Sequence, residues 1–434
     1  MKVGVIGLGF VGLTFASVLA SKKIPVIGVD YDKSKIAKIQ SGEAPFFEPR
    51  LDKTLRTALR SGLKVSSSIS SVANQCDIIF VTVGTPTLEK GGIDLSMVES
   101  AIKEIGRLLK RTKNNPAIII KSTVIPGTTQ KLIAILERES KKKNGEGFGV
   151  ISNPEFLREG VAIEDTINPH LIVLGGSDNK FMERLTDFYS NLYPNVQIIK
   201  TNPQTAEIIK YANNSFLATK ISFINQIATI CESIPGANIE QVAKAIGLDP
   251  RIGSLFLNAG PGYGGSCLPK DVKAIINFSS KIGADSTLLD AVEEVNRNQV
   301  RNIISIIEKT LGRLKGRKIT ILGLAFKPDT DDIRESVSLK LIELLLREGA
   351  KIISHDPKAI ENTKSVFGNK IEYTDNISKA LRGSECAVIM TSWKEYTGIS
   401  EKELKLMKKR FIVDTRRLLL GKKLNIKYHA IGMG

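Results

Sequence analysis

The chain of 434 residues is 42% hydrophobic and 25% charged, which is typical of a globular protein with two or three domains. Its formal net charge of +17 indicates either an anionic partner, such as a nucleotide, or a lysine-rich surface without a specific role. No apolar stretch reaches the roughly 20 residues that span a bilayer, and the basic runs 141–143 and 408–410 lack interleaved aromatic residues. We therefore expect no membrane insertion and no nucleic-acid partner.

The cysteines, the histidines and the first 20 residues bear on metal binding and location. The four cysteines show no CxxC spacing and the three histidines are scattered, so no metal site is predicted. Cys76, Cys231 and Cys386 lie in or beside apolar runs as small core residues, which favours a reducing compartment. Residues 1–20 loosely resemble a secretory signal, but three regularly spaced glycines indicate a strand, a turn and a helix instead. The expected location is the cytoplasm.

The first part of the chain alternates β-branched runs with amphipathic helices. Strands are predicted at 3–6, 26–29, 78–83, 118–121, 150–152 and 171–175. Alternation of this kind is typical of βαβ units in a parallel sheet.

The middle part of the chain has a helical pattern, and the last part returns to alternating strands and helices. Residues 206–233 contain neither proline nor glycine and predict one long helix, followed by helices ending at about 247 and at 269–283 and 286–311. Strands return at 319–323, 351–354, 386–391 and 411–414. The predicted fold is therefore α/β, with two doubly wound Rossmann-like domains joined by a long central helix and a helical middle region. The predicted domains are 1–202, 203–312 and 313–434.

A dinucleotide-binding fingerprint opens the chain. Gly7-x-Gly9-x-x-Gly12 follows a strand and begins a helix, and Asp30 ends the next strand, about 20 residues on. The glycines allow a tight turn, a close approach of pyrophosphate and close helix packing, while the carboxylate accepts hydrogen bonds from a ribose 2′-hydroxyl. This order predicts NAD rather than NADP; the alternative is a structural glycine-rich turn. Residues 318–326 echo residues 2–10, but Ala325 and Pro328 stand where glycines would be, so we expect no pyrophosphate site there.

Polar residues follow several of the predicted strands at the edge where ligands bind in such sheets. Gly84 and Thr85 follow one strand, Thr123 follows the next, and Glu155 follows the strand at 150–152. Gly84, Thr85 and Thr123 either contact a ligand or cap strand ends. Glu155 is a candidate base or water-orienting group.

Cys267 is the candidate nucleophile. It stands beside Gly264, with Lys270 and Asp271 three and four positions on, so one helical turn would bring both near the sulfur. A nearby cation lowers the pKa of a thiol, and the thiolate is the reactive form. The alternative is a buried cysteine in the loop before a helix.

Lys210 and Asn214 lie four apart on the long predicted helix and therefore on one face. Together they could donate hydrogen bonds to an oxyanion that forms when sulfur attacks an aldehyde. The alternative is a surface lysine with an extended side chain and an asparagine between packed helices.

With these residues the chain resembles the UDP-glucose/GDP-mannose dehydrogenase family over nearly its whole length. The shared motifs are 7–12, 48–49, 83–86, 122–124, 152–156, 207–214, 264–271, 323–327 and 332–336. The resemblance implies an NAD-dependent, four-electron oxidation of the C6 alcohol of a nucleotide sugar to a uronic acid, through a cysteine thiohemiacetal and thioester. The Lys270-Asp271 pair favours UDP-glucose over UDP-N-acetylmannosamine, while GDP-mannose and UDP-N-acetylhexosamines stay as alternatives. The chain differs from the usual family pattern at Arg50 and at residues 125–127. These differences affect the shape of loops and do not put the implied chemistry in doubt.

The resemblance also implies roles residue by residue. The implied catalytic residues are Cys267, Lys210, Asn214, Asp271, Glu155 and Thr123. The implied cofactor contacts are Gly7, Gly9, Phe10, Val11, Gly12, Asp30, Lys35, Gly84, Thr85, Thr123, Glu159, Lys270 and Arg334. The implied substrate contacts are Phe156, Leu157, Lys210, Asn214, Arg251, Phe256, Tyr263, Gly264, Phe326 and Lys327. Arg251 matches a position that reaches substrate across a dimer interface, which implies a homodimer or a larger homo-oligomer.

Two other classes of protein compete with this interpretation. Single-oxidation β-hydroxyacid dehydrogenases also carry a lysine and an asparagine four apart on a helix, but they lack the cysteine and the last α/β domain. A nucleotide-sugar or NAD sensor that binds DNA would explain the charge, but no DNA-reading motif is present.

Overall fold

The computed structural model describes residues 1–434, which divide into two compact units, residues 1–213 and 214–434. The strands of the first unit are β1 (Val3–Ile6), β2 (Val26–Val29), β3 (Lys64–Ser66), β4 (Ile78–Val81), β5 (Ala117–Ile120), β6 (Gly149–Ser152), β7 (Ile172–Gly175) and β8 (Ile198–Thr201). Its helices are α1 (Phe10–Ser21), α2 (Lys33–Gln40), α3 (Leu51–Arg60), α4 (Ser70–Ala73), α5 (Ser96–Leu109), α6 (Thr128–Ser140), α7 (Ala162–Ile167) and α8 (Asn179–Leu192). Helix α9 (Pro203–Cys231) begins in this unit and ends in the second.

The first unit is built on one eight-stranded sheet in the order β3-β2-β1-β4-β5-β6-β7-β8. Its inner strands are buried on both faces. In β4, Ile78 and Phe80 join the core on one side, while Ile79 and Val81 join the core on the other. Double burial explains why these strands are continuous apolar runs rather than alternating ones.

The second unit contains a helical region followed by a six-stranded sheet. Its remaining helices are α10 (Ile239–Gly247), α11 (Leu268–Lys281), α12 (Thr287–Leu311), α13 (Val337–Arg347), α14 (Ile360–Phe367), α15 (Ile377–Leu381) and α16 (Glu401–Leu404). Its strands are β9 (Lys318–Leu322), β10 (Lys351–His355), β11 (Glu372–Tyr373), β12 (Cys386–Ile389), β13 (Phe411–Asp414) and β14 (Lys427–Ala430). All pairs in this sheet are parallel, in the order β11-β10-β9-β12-β13-β14.

The helical region and the second sheet share one hydrophobic core. Ile224 and Ala228 of α9 and Ile303 and Ile307 of α12 belong to the same buried cluster as Ile321 of β9. The central part of the chain is therefore packed on the C-terminal sheet. The division into domains 1–202, 203–312 and 313–434 stays a prediction.

The predicted fold class is confirmed, with two corrections. The first sheet is not wholly parallel, because β6 and β7 meet antiparallel through Ser152 and Gly175. Four short strands, β3, β8, β11 and β14, were not predicted. They are partly exposed and contain polar residues, so they lack the apolar pattern that marks the inner strands.

The fold contains neither a membrane-spanning helix nor a cluster of metal ligands. No helix combines the length and the apolar character needed to cross a bilayer. No group of three or more His, Cys, Asp and Glu side chains is arranged to hold a metal ion.

Candidate active site

The glycine turn between β1 and α1 has the geometry of a phosphate cradle. Gly7 adopts a φ of +94°, which favours glycine. A Cβ on Gly12 would lie 1.9 Å from the Gly7 carbonyl oxygen, so only glycine lets helix and strand approach this closely. A Cβ on Gly9 would meet nothing within 4 Å. Open space at the N-terminus of α1 is where an anionic pyrophosphate fits, because the first helical amides carry partial positive charge.

Asp30 closes this turn from the end of β2. Its Oδ2 accepts hydrogen bonds from the Leu8 backbone N–H and from Lys35 Nζ, both at 2.8 Å. Partial burial acts to raise the pKa of Asp30, but the bond to Lys35 and the amides of Asp32 and Leu8 outweigh it and lower that pKa. The side chain is therefore an ionised acceptor, as the binding of ribose hydroxyls requires. These residues fit an NAD molecule.

The corresponding turn of the second sheet is closed. Gly323 adopts a φ of +102°, as Gly7 does in the first turn. Asp356 Oδ2 accepts hydrogen bonds from the N–H groups of Leu324 and Ala325 and from Trp393 Nε1, at 2.7, 3.1 and 3.0 Å. Asp356 thus accepts from the amides of this turn much as Asp30 accepts from Leu8 in the first, and the expectation that this turn holds no pyrophosphate stays a prediction.

The segments after β4 and β5 differ in what their side chains do. Ser122 Oγ donates to the Val83 carbonyl oxygen at 2.7 Å, so it ties the two segments together. Thr123 is half-buried and its hydroxyl makes no hydrogen bond within the protein. Gly84 is exposed and Thr85 is half-buried. Thr123 and Thr85 therefore offer polar groups at the ligand-binding edge of the sheet.

Glu155 and Lys210 form a buried ion pair in the first unit. Lys210 Nζ lies 3.1 Å from Glu155 Oε1 and donates to the Glu155 carbonyl oxygen at 2.7 Å. The Leu157 N–H donates to Glu155 Oε2 at 2.6 Å. Burial acts to raise the pKa of Glu155, but the positive charge of Lys210 and the Leu157 amide more than compensate and lower that pKa. The alternative of a surface lysine is wrong, since Lys210 is 3% exposed.

A second buried cluster surrounds the start of α11 in the other unit. Asn214 Nδ2 donates to Asp271 Oδ2, and Lys270 Nζ donates to Asp271 Oδ1, both at 2.6 Å. Asp271 is fully buried. Lys270 thus pairs with Asp271, and the expectation that it also lies near the sulfur stays a prediction.

Cys267 is the residue immediately before α11 and is only partly buried, whereas the other three cysteines are buried. Burial raises the pKa of the Cys76 thiol to about 12 and also raises that of Cys386. A thiol at a helix N-terminus lies in the positive field of the helix dipole, which favours the thiolate. Of the four cysteines, Cys267 therefore has the environment of a nucleophile.

The glycines before Cys267 let its loop pack against residues 326–335. A Cβ on Gly264 would lie 2.5 Å from the Glu335 carbonyl oxygen. Gly265 has a φ of +87°, and its N–H donates to the Arg334 carbonyl oxygen at 3.0 Å. Phe326 lies against both glycines. The loop and the predicted contacts in 326–334 are thus neighbours within the second unit.

The remaining predicted substrate residues differ in exposure. Tyr263 is 4% exposed and packs with Ala218, Val272 and Val292, so its ring belongs to the core, and its predicted contact with the nucleotide stays a prediction. Phe256, with a φ of +66°, Phe156, Leu157 and Lys327 are half-buried. Arg251 and Arg334 are exposed, and each forms a bidentate pair with an aspartate two residues earlier.

Two charged residues that the sequence reasoning missed support the site. Glu207 of α9 accepts from the N–H groups of Gly127 and Thr129 at 2.6 and 2.8 Å, which anchors the segment between β5 and α6. Lys121, directly after β5, is buried beside Asn153. A lysine at the carboxyl end of an apolar strand was the available signal for Lys121. Glu207 had none beyond its position three residues before Lys210.

Comparisons with known proteins agree with this geometry. Residues 1–193 match the NAD binding domain, 204–298 the central domain and 320–420 the UDP binding domain of the UDP-glucose/GDP-mannose dehydrogenase family. UDP-glucose 6-dehydrogenase TuaD of Bacillus subtilis is 39% identical, covering 99% of this chain and 93% of its own. UDP-glucose 6-dehydrogenase AglM of Haloferax volcanii is 38% identical, covering 96% and 97%.

A solved structure extends the likeness to three dimensions. The structure of a UDP-glucose dehydrogenase from the archaeon Pyrobaculum islandicum superposes with a TM-score of 0.92 at 36% identity, covering 100% of this chain and 98% of that one. The expected NAD cofactor is confirmed by the match to the NAD binding domain, with which the open turn at Gly9 and the ionised Asp30 agree. The chain belongs to the UDP-glucose/GDP-mannose dehydrogenase family.

Proposed function

We propose that this enzyme oxidises the C6 alcohol of UDP-glucose to the carboxylate of UDP-glucuronate, in two successive oxidations. The observation that carries the proposal is the partly buried thiol of Cys267 at the N-terminus of α11, beside the buried Asn214–Asp271–Lys270 cluster. Single-oxidation dehydrogenases have no use for such a thiol. The names of the relatives support UDP-glucose, and the match of 320–420 to a UDP binding domain supports a UDP-sugar.

In the first oxidation the alcohol loses a hydride and a proton. NAD, when bound, accepts the hydride. The Glu155–Lys210 pair would orient the C6 hydroxyl and lead its proton away, because a buried carboxylate held ionised by a lysine is a competent acceptor. Thr123, with its unpaired hydroxyl, would orient the same group. The product of this step is an aldehyde that stays bound.

The second oxidation needs sulfur. The Cys267 thiolate adds to the aldehyde carbon and forms a thiohemiacetal, whose oxyanion accepts hydrogen bonds from Lys210 and Asn214. Each such donor contributes roughly 2.7–4 kcal/mol to stabilising the oxyanion. Loss of a second hydride, for which a second NAD molecule would be the acceptor, leaves a thioester. Water oriented by Asp271 then attacks the carbonyl carbon, the C–S bond breaks, and the thiol and the carboxylate are released.

The number of NADH molecules per sugar tests this function. We expect two NADH for each UDP-glucose consumed, because the alcohol is carried through to the acid. NADH absorbance at the end of a reaction with limiting UDP-glucose measures the ratio. One NADH per sugar would instead indicate a single-step dehydrogenase.

A panel of sugars tests the substrate. GDP-mannose and UDP-N-acetylhexosamines, given separately at the same concentration, should yield NADH more slowly than UDP-glucose. If one of these sugars is oxidised faster, then the family function stands and the assignment of UDP-glucose fails.

We also propose that the enzyme is a homodimer. Phe216, Phe223 and Ile230 recur every seven residues on α9 and are 65%, 50% and 50% exposed, and Leu248 and Leu255 nearby in the chain are 77% and 72% exposed. Exposed apolar residues grouped on one helical region are typical of an interface between subunits.

The double substitution Phe216→Asp with Phe223→Asp should convert the dimer into a monomer, because it would bury two carboxylates in the interface. Light scattering should give twice the chain mass of 47.4 kDa for the wild type and for Val366→Asp, a control at an exposed residue of the second sheet domain. A double variant that keeps the wild-type mass would show that the interface lies elsewhere.

The proposed compartment is the cytoplasm. All four cysteines are free thiols, as expected for a protein kept in a reducing environment. A nucleophilic Cys267 would also require such an environment, because oxidation to a disulfide or a sulfenic acid would stop catalysis.

A further inference from the structure

A second buried lysine lies near the Glu155–Lys210 pair. Lys121 directly follows β5, and its backbone N–H donates to the Val81 carbonyl oxygen at 2.9 Å, so strand pairing fixes the base of the side chain. The residue is 8% exposed. Its Nζ donates to Asn153 Oδ1 at 3.2 Å and lies 5.2 Å from the centroid of the Phe15 ring. Neither partner carries a charge.

Asn153 connects this lysine to the segment that carries Glu155. Its Oδ1 also accepts from Tyr189 Oη at 2.6 Å, and its Nδ2 donates to the Val173 carbonyl oxygen at 2.8 Å. Its backbone N–H donates to the Ile120 carbonyl oxygen at 2.9 Å. Asn153 is thus held on every side, two residues before Glu155, and Lys121 is its one charged partner.

The ammonium of Lys121 makes no ion pair with a carboxylate, and a buried charge without a counter-ion is costly to a fold. Burial lowers the pKa of Lys121 to about 8; Glu155 opposes this effect and Lys210 adds to it. Glu155 and Lys210 therefore lie close enough to Lys121 for their charges to affect its pKa. Its positive charge in turn helps to lower the pKa of Glu155, after the larger effect of Lys210.

We propose, on the basis of the function above, that Lys121 is a positioning residue for Glu155. Through Asn153 it holds the 153–157 segment in place, and its charge keeps the Glu155 carboxylate ionised. Lys121, Asn153 and Glu155 line one cavity of about 50 Å³, enough for bridging water. The other titratable groups that face this region are Lys210, Asp165, His170, Tyr189 and Tyr193.

The neighbours of the cavity do not provide the same charge. Asp165 is already paired with Arg158 at 2.7 Å. Burial raises the pKa of Tyr189 and of Tyr193, so both stay neutral in the working range. Lys121 is thus a second lysine, beside Lys210, whose positive charge acts on Glu155.

The pH dependence of kcat/KM for UDP-glucose tests the inference. In Lys121→Met the acidic limb, where Glu155 takes up a proton, should move to higher pH by about one unit, because a stabilising positive charge is lost. Any fall in kcat/KM near pH 8 caused by deprotonation of Lys121 should disappear. Lys121→Arg keeps the charge and should leave the acidic limb in place. Lys22→Met, which removes an exposed lysine that lies over the Tyr193 ring, is the matched control and should leave both limbs unchanged.

The pH dependence of thermal stability tests the buried charge of Lys121 independently of catalysis. The pKa of Lys121 is about 8 in the folded protein and 10.5 without the environment of the fold. The unfolded chain therefore binds more protons between these values, and the wild type should gain stability relative to Lys121→Met as the pH rises from 8 to 10.5. A melting difference that stays constant with pH overturns the inference whatever the substrate.

The two hypotheses fail in distinguishable ways. If the wild type yields two NADH per UDP-glucose but Lys121→Met keeps the wild-type acidic limb, then Lys121 is not a positioning residue and the proposed function stands. In another outcome no nucleotide sugar is oxidised, while the difference in stability between the wild type and Lys121→Met varies with pH. The proposed function then fails, and Lys121 still carries a charge that is buried in the fold.

Discussion

Steady-state NADH production should fall at least about 10³-fold in Cys267→Ser, while NAD binding is retained. A serine hydroxyl is a far weaker nucleophile than a thiolate, and it brings no sulfur, so the thioester cannot form. The first oxidation does not need sulfur, and a single-turnover experiment should therefore still show a small burst of NADH. Rapid mixing with absorbance detection separates the burst from the steady state.

Cys231→Ala is the matched control for this experiment. Cys231 is a thiol of the same unit, but it is 5% exposed and belongs to the core shared by α9 and the second sheet. Its removal should lower stability and leave turnover per folded enzyme nearly unchanged. Full steady-state activity in Cys267→Ser would remove the covalent step from the mechanism.

Sequence patterns predicted the inner strands well because burial restricts these strands to apolar residues. A strand such as β4, covered by helices on both faces, must be apolar at each position, and this is visible in one dimension. The missed strands β3 and β11 lie at the edges of their sheets and are partly exposed, so neither burial nor alternation marks them. The antiparallel joint between β6 and β7 is a matter of topology that no local pattern records.

Sequence motifs indicated which residues belong to the candidate site, but they did not indicate which charged side chains pair with each other. Lys270 stands three residues after Cys267, and that spacing did not indicate that its ammonium pairs with Asp271. Lys210 could have been an exposed side chain, yet it is buried against Glu155. Such choices depend on which side chains from distant segments reach the same buried point, and spacing along the chain does not contain that information.

Two of the three glycines of the cofactor turn, Gly12 and Gly9, should respond differently to one added methyl group. In Gly12→Ala the new Cβ would lie 1.9 Å from the Gly7 carbonyl oxygen and 2.5 Å from Thr82 Oγ1, so α1 must move away from the sheet. Helix α1 contributes Leu13, Phe15 and Leu19 to the core of the first unit. We expect a clear loss of thermal stability in this variant, of the size seen for overpacked cores, about 1–3 kcal/mol.

In Gly9→Ala the methyl group would meet no protein atom within 4 Å, and the φ of −74° suits alanine. The fold should therefore keep its stability to within about 0.5 kcal/mol, while the Kd for NAD, measured by calorimetry, should rise at least about tenfold because the methyl group occupies the path of the pyrophosphate. Gly398→Ala, where a Cβ also meets nothing, is the control that should change neither quantity. If Gly9→Ala bound NAD as tightly as the wild type does, the pyrophosphate could not lie against this turn. A methyl group at that position would otherwise have to weaken binding.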